Sequence, residues 1–377
     1  MAEQGQRGRR SFWTWGWQED EPTPAQRLEV ADLLSHSYGV KISVPEIPRI
    51  ENIELRDPRI TVPDTLSSVV TTDKTERVTH TYGGHFLELN RALRGDFEHP
   101  PDAVAYPDTE DQLESVLDWC DGNGYAAIPY GGGTTVVDGV SVPDSASGAV
   151  TIDMERLGKV LEIDETSRAA RIQAGIFGPD LENALRPKGY TLRHFPQSFP
   201  WSTLGGWIAT RSGGHYATNH THIDDFVESI RMVTPQGWWE SRRLPGSGAG
   251  PSPDRMVIGS EGTLGIITEA WMRIQKRPVF RANAGIAFPS WEQAYTAIRH
   301  LVQAKLWPAN LRLLDPEEAG RAAGLDGKHA LLIIGFESSD IPQGDLIRFA
   351  VEIARDNGGL IEDEQIQISG GSNETTG

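Results

Sequence analysis

The sequence predicts an α+β protein of two successive mixed domains, and three observations predict it. Residues 102–130 alternate strand, helix and strand and run straight into a triple glycine, PYGGGTTVV at 129–137. Residues 160–175 and 227–241 each carry apolar residues on both sides of a short turn, the pattern of an antiparallel hairpin. After about residue 278 helical and strand periods alternate again, in a segment with its own apolar complement.

Taken in order, residues 1–10 are expected to be disordered, with Arg7, Arg9 and Arg10 in a solvated basic tail. SFWTWGW (11–17) reads as an aromatic plug that docks the N-terminal segment. Leu28, Val30, Leu33 and Leu34 recur at helical spacing in 24–38, and Gly39 stops that helix. Pro45, Pro48, Pro58 and Pro63 make 44–63 an extended loop. DAVAYP (102–107) is a strand. The helix 109–124 opens with a capping box, Thr109 and Gln112, and shows Leu113, Val116, Leu117 and Cys120 as its apolar stripe, with Gly122 as its stop. Strands follow at 125–130 and 149–154, a hairpin turning at Asp164–Ser167, a helix over 178–189 ending near Pro187, a hairpin turning at Pro235–Gly237, and a long strand at 264–275. Beyond it come a helix over 290–306, strands at 310–315 and 330–337, and a helix over 346–359 closed by two glycines. The end, SGGSNETTG (369–377), is poor in apolar residues and is expected to be disordered.

The chain has 377 residues, enough for two cores. Its 35 Lys+Arg against 53 Asp+Glu give a net charge of −18, which repels nucleic acid and anionic membrane surfaces. A single cysteine, Cys120, excludes an intrachain disulfide and a cysteine metal cluster. MAEQGQRGRR lacks the apolar core of a signal peptide, and no apolar run approaches the ~20 residues that span a bilayer. The expectation is a cytoplasmic, soluble protein. The histidines of RSGGHYATNHTH, His215, His220 and His222, lie in a poor helical context without a carboxylate spaced as a zincin base, so no metal site is expected there.

Three segments join glycines to hydroxyls. Successive N–H groups in PYGGGTTVV form an anion-binding concavity, and bare backbone lets a ligand approach closely. A diphosphate is the natural guest, with a tight structural turn as the alternative. In PQSFPWSTLGGWIATRSGG (196–214), Ser202 and Thr203 are positioned to cap a helix starting near Leu204. IGSEGTLGIITEA (258–270) again joins glycines, hydroxyls and a strand. Together they suggest one long ligand gripped at several points.

This combination resembles the vanillyl-alcohol-oxidase/PCMH family of FAD-binding proteins, through PYGGGTTVV, STLGGWIATRSGG (202–214) and GSEGTLGIIT (259–268). Within it, GYTLRHFPQSFPWSTLGGWIATRSGG, DDFVESIRMVTPQG (224–237), FWTWGW and PANLRLLD (308–315) are most similar to the alkyldihydroxyacetonephosphate synthases. The resemblance implies a two-subdomain PCMH-type FAD-binding domain at 98–278 behind an N-terminal extension at 1–97. It also implies a partial α+β cap domain for substrate at 279–368 and a tail at 369–377. FAD would be held by Pro129, Tyr130, Gly131, Gly132, Gly133, Thr134 and Thr135; by Gln197, Ser198, Ser202, Thr203, Gly205 and Gly206; by Thr210, Arg211, Ser212 and Gly213; and by Glu261, Gly262, Thr263, Leu264, Gly265, Ile266 and Ile267. Arg312 would face the substrate.

Relatives that attach FAD covalently do so through a histidine in the first glycine loop. Thr134 stands near that position here, which implies non-covalent FAD, with His215 lining the flavin pocket or sitting in a plain loop. Members of the family continue past the cap and carry a catalytic tyrosine and a histidine run there. This sequence stops at Gly377 with neither, so no catalytic acid or base is assigned. The expectation is a fragment, a truncated gene or a separately supplied remainder, with apolar cap surface left exposed. Three activities stay open: acyl-for-alkyl exchange on dihydroxyacetone phosphate with no net redox change, oxidation of a 2-hydroxy acid of the glycolate or D-lactate kind, and flavin binding without catalysis. Relatives suggest a homodimer.

Overall fold

A computed structural model describes residues 8–220, 222–244 and 246–370. The expectations for residues 1–7, Arg7 among them, and for 371–377 lie outside the described residues. The observed class is α+β, and the described chain folds into two compact units. Among the described residues, the first comprises those within 8–181, 198–211 and 227–272, and the second those within 182–197, 212–226 and 273–370.

The first unit holds two sheets. One has the order Val70–Thr71, Ala103–Ala105, Ala149–Asp153, Ala126–Tyr130; its first pair is antiparallel and the others parallel. The other has the order Val160–Asp164, Ala169–Gln173, Ile266–Arg273, Val227–Thr234, Gly237–Glu240. Helix Glu110–Asn123 supplies Leu113, Val116 and Cys120 to the core, where they meet Ala103, Ala105, Val150 and Ile152 of the first sheet and Val233 and Ile266 of the second. Thr109 caps this helix by accepting the Gln112 N–H at 3.2 Å. The expected reciprocal bond is displaced: the Gln112 side chain accepts from Asp108 N–H, at 2.7 Å, instead of from Thr109. The stop is Gly124, at φ 65°, and not Gly122, which is helical. Gly122 fails as a stop because the left-handed residue falls after the last hydrogen-bonded turn, two positions later.

The second unit contains a four-stranded antiparallel sheet, order Asn310–Leu314, Ala330–Ser338, Phe280–Phe288, Gln367–Ser369. Helices Trp291–Gln303 and Gly344–Asp356 cover it, burying Ala294, Ala297, Leu301, Ile347, Ala350 and Val351 against Ile286, Phe288, Leu332, Ile334 and Phe336. Strand Phe280–Phe288 was not expected from the sequence, because its alternation is built on small residues, Ala282, Ala284 and Gly285. Ser369, assigned to the disordered tail, instead pairs with Arg281.

Helix Pro24–Tyr38 forms where expected, with Gly39 left-handed at its end and a Thr23–Gln26 capping box. Its Leu28, Val30 and Leu33 are nevertheless exposed. Among the described residues, no helix is long and apolar enough to cross a membrane.

Arg10 departs furthest from expectation. It is buried, not solvated: its Nη2 lies 2.6 Å from Asp153 Oδ2 and 2.9 Å from the Gly131 carbonyl. Three rings box it in, Trp17 at 5.0 Å, Tyr130 at 5.2 Å and Phe177 at 5.7 Å to their centroids. A buried carboxylate is a stronger partner for a guanidinium than its position in the chain suggests.

Candidate functional site

In the first unit the three glycine-rich segments meet. Strand Ala126–Tyr130 ends at a buried tyrosine and delivers the chain into residues 131–135. A Cβ on Gly132 would overlap the Trp201 carbonyl oxygen and approach Ser202 Cα to 2.8 Å; one on Gly131 would overlap Thr203 Oγ1, and one on Gly133 the Tyr130 hydroxyl. These glycines therefore admit protein backbone as well as any ligand, and they clamp the first segment to the second. The third joins through Gly259 N–H, which donates to Ile208 O at 3.0 Å, and Glu261 N–H, which donates to Ala209 O at 2.8 Å. A Cβ on Gly262 would stand 3.1 Å from Pro129 Cγ.

Thr203 caps helix Leu204–Ala209, accepting the Gly206 N–H at 3.3 Å. Ser202 does not cap it. Its hydroxyl donates to Ser198 O at 2.9 Å and accepts from Trp207 Nε1 at 2.7 Å, and Trp207 stacks on Phe199. Gly205 packs over Ala174, where its N–H donates to the carbonyl at 2.7 Å. The Thr210 hydroxyl donates to Gly206 O at 2.9 Å. Arg211 and Glu261 both hold left-handed backbone, φ 52° and 54°, which costs non-glycine residues on the order of 1 kcal/mol each. Burial raises the Glu261 carboxyl above its ordinary value. Thr263 and Leu264 are exposed, whereas Ile266 and Ile267 are buried in strand Ile266–Arg273 opposite Val233 and Met232, and Ile266 packs into the core with Val233.

A bound diphosphate needs donors that are not already spent. Among the described residues, the backbone N–H groups of 131–135 donate to no protein acceptor. The loop is half-buried, so unpaired donors there await water or an anion. The donor set therefore fits FAD.

The second unit carries the remaining candidates. Gln197 and Gly213 are exposed. Ser212 Oγ lies 2.8 Å from His194 Nε2, and burial first, with His222 second, pushes the His194 imidazole down to about 4. Arg312 Nη1 stands 3.3 Å from His215 Nδ1, both exposed. Two residues singled out separately in the sequence are thus neighbours. Arg193, at φ 65°, binds Glu337 through Nε at 2.7 Å and lies 4.2 Å over the Tyr216 ring.

Sequence reasoning missed Arg10, hidden in a basic, polar terminus; the alternating aromatics after it were the available signal. It also missed His194. Among the described residues one cluster has metal-ligand types within 4.8 Å of one another, His85, Glu88 and Asp138, but Glu88 already accepts from Ser141 and from His85 N–H.

Comparison with known proteins agrees with this geometry. Residues 101–241 match the family model of the FAD binding domain, and 277–364 match that of the C-terminal domain of FAD linked oxidases. The chain is 37% identical over 281 residues to alkyldihydroxyacetonephosphate synthase of Dictyostelium discoideum, covering 72% of this chain and 45% of that protein. It is 29% identical over 221 residues to a glycolate oxidase subunit of Bacillus subtilis, covering 58% and 46%. A solved structure of alkyldihydroxyacetonephosphate synthase superimposes with a TM-score of 0.81 at 29% identity, over 93% of this chain and 73% of that one. The chain spans less than half the length of these curated relatives. Matched in order, the two models describe an FAD-binding domain followed by the C-terminal domain of FAD linked oxidases, and the cofactor is FAD.

Proposed function

We propose that the protein is an alkyldihydroxyacetonephosphate-synthase-like flavoenzyme that replaces the acyl group of an acylated dihydroxyacetone phosphate with a long-chain alcohol. The ester C–O bond breaks, an ether C–O bond forms and a fatty acid leaves, with no net change of oxidation state. FAD, when bound, would supply an electrophilic ring for this exchange. Residues 98–278 would hold the cofactor and 279–368 would form the cap. The N–H groups of 131–135 would receive the diphosphate, while 197–206, 210–213 and 261–267 would line the rest of FAD, without a covalent bond.

The observation that carries the choice of substrate is the pair Arg312 and His215, 3.3 Å apart and exposed. A guanidinium beside an imidazole offers a fork of donors to a phosphate, stronger than neutral donors would be. The synthase relative supports the same reading. Oxidation of a 2-hydroxy acid is the second reading, supported by the glycolate oxidase relative. We also read the protein as cytoplasmic and homodimeric, the latter testable by sedimentation.

The test is a paired assay on FAD-loaded protein. Labelled long-chain alcohol with acyl dihydroxyacetone phosphate should give a base-stable ether product. Arg312→Lys should raise KM for the phosphorylated substrate on the order of tenfold, because a lysine keeps charge and loses the fork. Dye reduction with glycolate or D-lactate, without ether product, establishes the second reading; FAD binding with neither activity overturns both.

A further inference from the structure

The proposed function leaves the N-terminal segment unused, yet the first unit ties it directly to the glycine loop. Residues 9–18 form a closed turn: Ser11 N–H donates to Gly16 O at 3.0 Å, Gln18 N–H to Arg9 O at 2.8 Å, and Arg10 bridges to Trp17. The turn is fastened at both ends. At one end Arg10 donates to the Gly131 carbonyl, at 2.9 Å, immediately before the unpaired N–H groups. At the other, Trp15 sits edge-on to Trp201, centroids 6.2 Å apart, and presses on Gly84. Gly84 N–H in turn donates to the Thr135 carbonyl, the far end of the loop. So the turn holds the loop at its first residue directly and at its last through Gly84.

The charge of Arg10 is already matched. Asp153 lies at 2.6 Å, Glu155 at 3.3 Å, and Asp153 also meets His80 Nε2 at 3.0 Å. Arg10 is therefore no free cation for a phosphate, and its effect on the loop is geometric: a carbonyl fixed from behind keeps the following N–H groups from rotating. Trp15 differs. Its indole Nε1 is buried and donates to nothing among the described residues, and an indole nitrogen is a donor only. Arg10, Trp15, Gly16, Thr79, Gly132 and Gly133 line one cavity. A buried unpaired donor is costly unless something accepts from it. The loop that shares its cavity is the one with unspent donors of its own.

We propose that residues 9–18 are a fourth element of the FAD cradle, with Arg10 as the positioning residue that shapes the glycine loop and Trp15 as a direct indole donor to the bound cofactor's diphosphate. This rests on the assignment of residues 131–135 to that diphosphate.

The test is FAD titration of the apoprotein of residues 1–377, followed by flavin fluorescence and visible circular dichroism, with the unfolding temperature of each apoprotein measured beside it. Arg10→Met is expected to weaken FAD binding by on the order of tenfold or more and to change the flavin circular dichroism. Arg10→Lys, which keeps one donor, should recover part of both. Trp15→Phe keeps an aromatic ring and removes the N–H; it should weaken binding about fivefold at an unchanged apoprotein unfolding temperature. If Arg10→Met does not fold, Trp15→Phe decides. Wild-type FAD affinity in the Trp15→Phe variant overturns the proposal, as does an Arg10→Met variant that folds and binds FAD normally. Gly132→Val separates the two levels of inference. If it keeps FAD, the assignment of the loop itself is wrong. If it stays folded by far-ultraviolet circular dichroism and loses FAD while the Arg10 and Trp15 variants do not, the N-terminal turn alone is excluded.

Discussion

Replacing Gly132 with alanine puts one methyl group where the glycine loop touches the second segment. The new Cβ would overlap the Trp201 carbonyl oxygen and stand 2.8 Å from Trp201 C and Ser202 Cα. All three are backbone atoms, so no rotamer change relieves the clash. Nor can the opposing backbone retreat: Trp201 N–H donates to Ser198 O at 2.9 Å, and Leu204 N–H to Ile176 O at 3.0 Å. The loop must move instead. Overpacking of this kind costs about 1–3 kcal/mol, and the pinned partner puts Gly132→Ala at the upper end. At roughly 2–4 °C per kcal/mol, unfolding should fall by roughly 5–10 °C. Shifted N–H groups should also weaken FAD by about tenfold or more, the equivalent of one lost hydrogen bond to a charged oxygen. Thermal unfolding by circular dichroism and FAD titration by fluorescence read the two effects. A Gly132→Ala variant with wild-type unfolding temperature and wild-type affinity would mean that the two segments do not touch as described.

Gly122→Ala should act oppositely, gaining about 0.5–1 kcal/mol in thermal unfolding, because the residue is helical and a Cβ there meets nothing within 4 Å. Asp153→Asn should cost about 3–5 kcal/mol in denaturant unfolding, since it leaves the buried Arg10 without its main counter-charge. His194 gives a pH signature in the second unit. Its folded value, about 4, lies below the ordinary 6.5, so the unfolded chain binds the extra proton between these limits. Stability from this group is complete above pH 6.5 and falls as pH drops toward 4, by at most about 3 kcal/mol; His194→Gln should flatten that part of a stability–pH curve. Acid precipitation should leave the flavin in the supernatant; a yellow pellet would instead show a covalent bond.

Much of the fold was legible where local chemistry and tertiary packing agree. The stripe Leu113, Val116 and Cys120 is buried as its spacing requires, and both hairpins pair where their turns fall. The glycine segments were legible as a group, because unusual backbone needs leave a mark in residue type. The illegible parts were those decided at long range. Strand Phe280–Phe288 has weak side-chain alternation and owes its existence to its neighbours Ala330–Ser338 and Gln367–Ser369. Arg10 looks like any terminal arginine until Asp153, far along the chain, is placed beside it. The exposed Leu28, Val30 and Leu33 show the converse, since a helical period says where apolar residues align and not that anything covers them.

The two units are threaded through each other along the chain: residues 182–197 and 212–226 count with the second, while 198–211 and 227–272 return to the first. A single cut of the gene after residue 272 keeps the first unit whole only together with pieces of the second, and no single cut isolates either one. A protease nick between residues 182 and 272 leaves both halves dependent on strands or loops from the other side of the break. Neither unit is a contiguous cassette that recombination could lift out and graft elsewhere. During synthesis the first unit cannot finish until residue 272 has left the ribosome, by which time parts of the second are already made. Its closure therefore waits on contacts distant in sequence, which places this chain among slow folders.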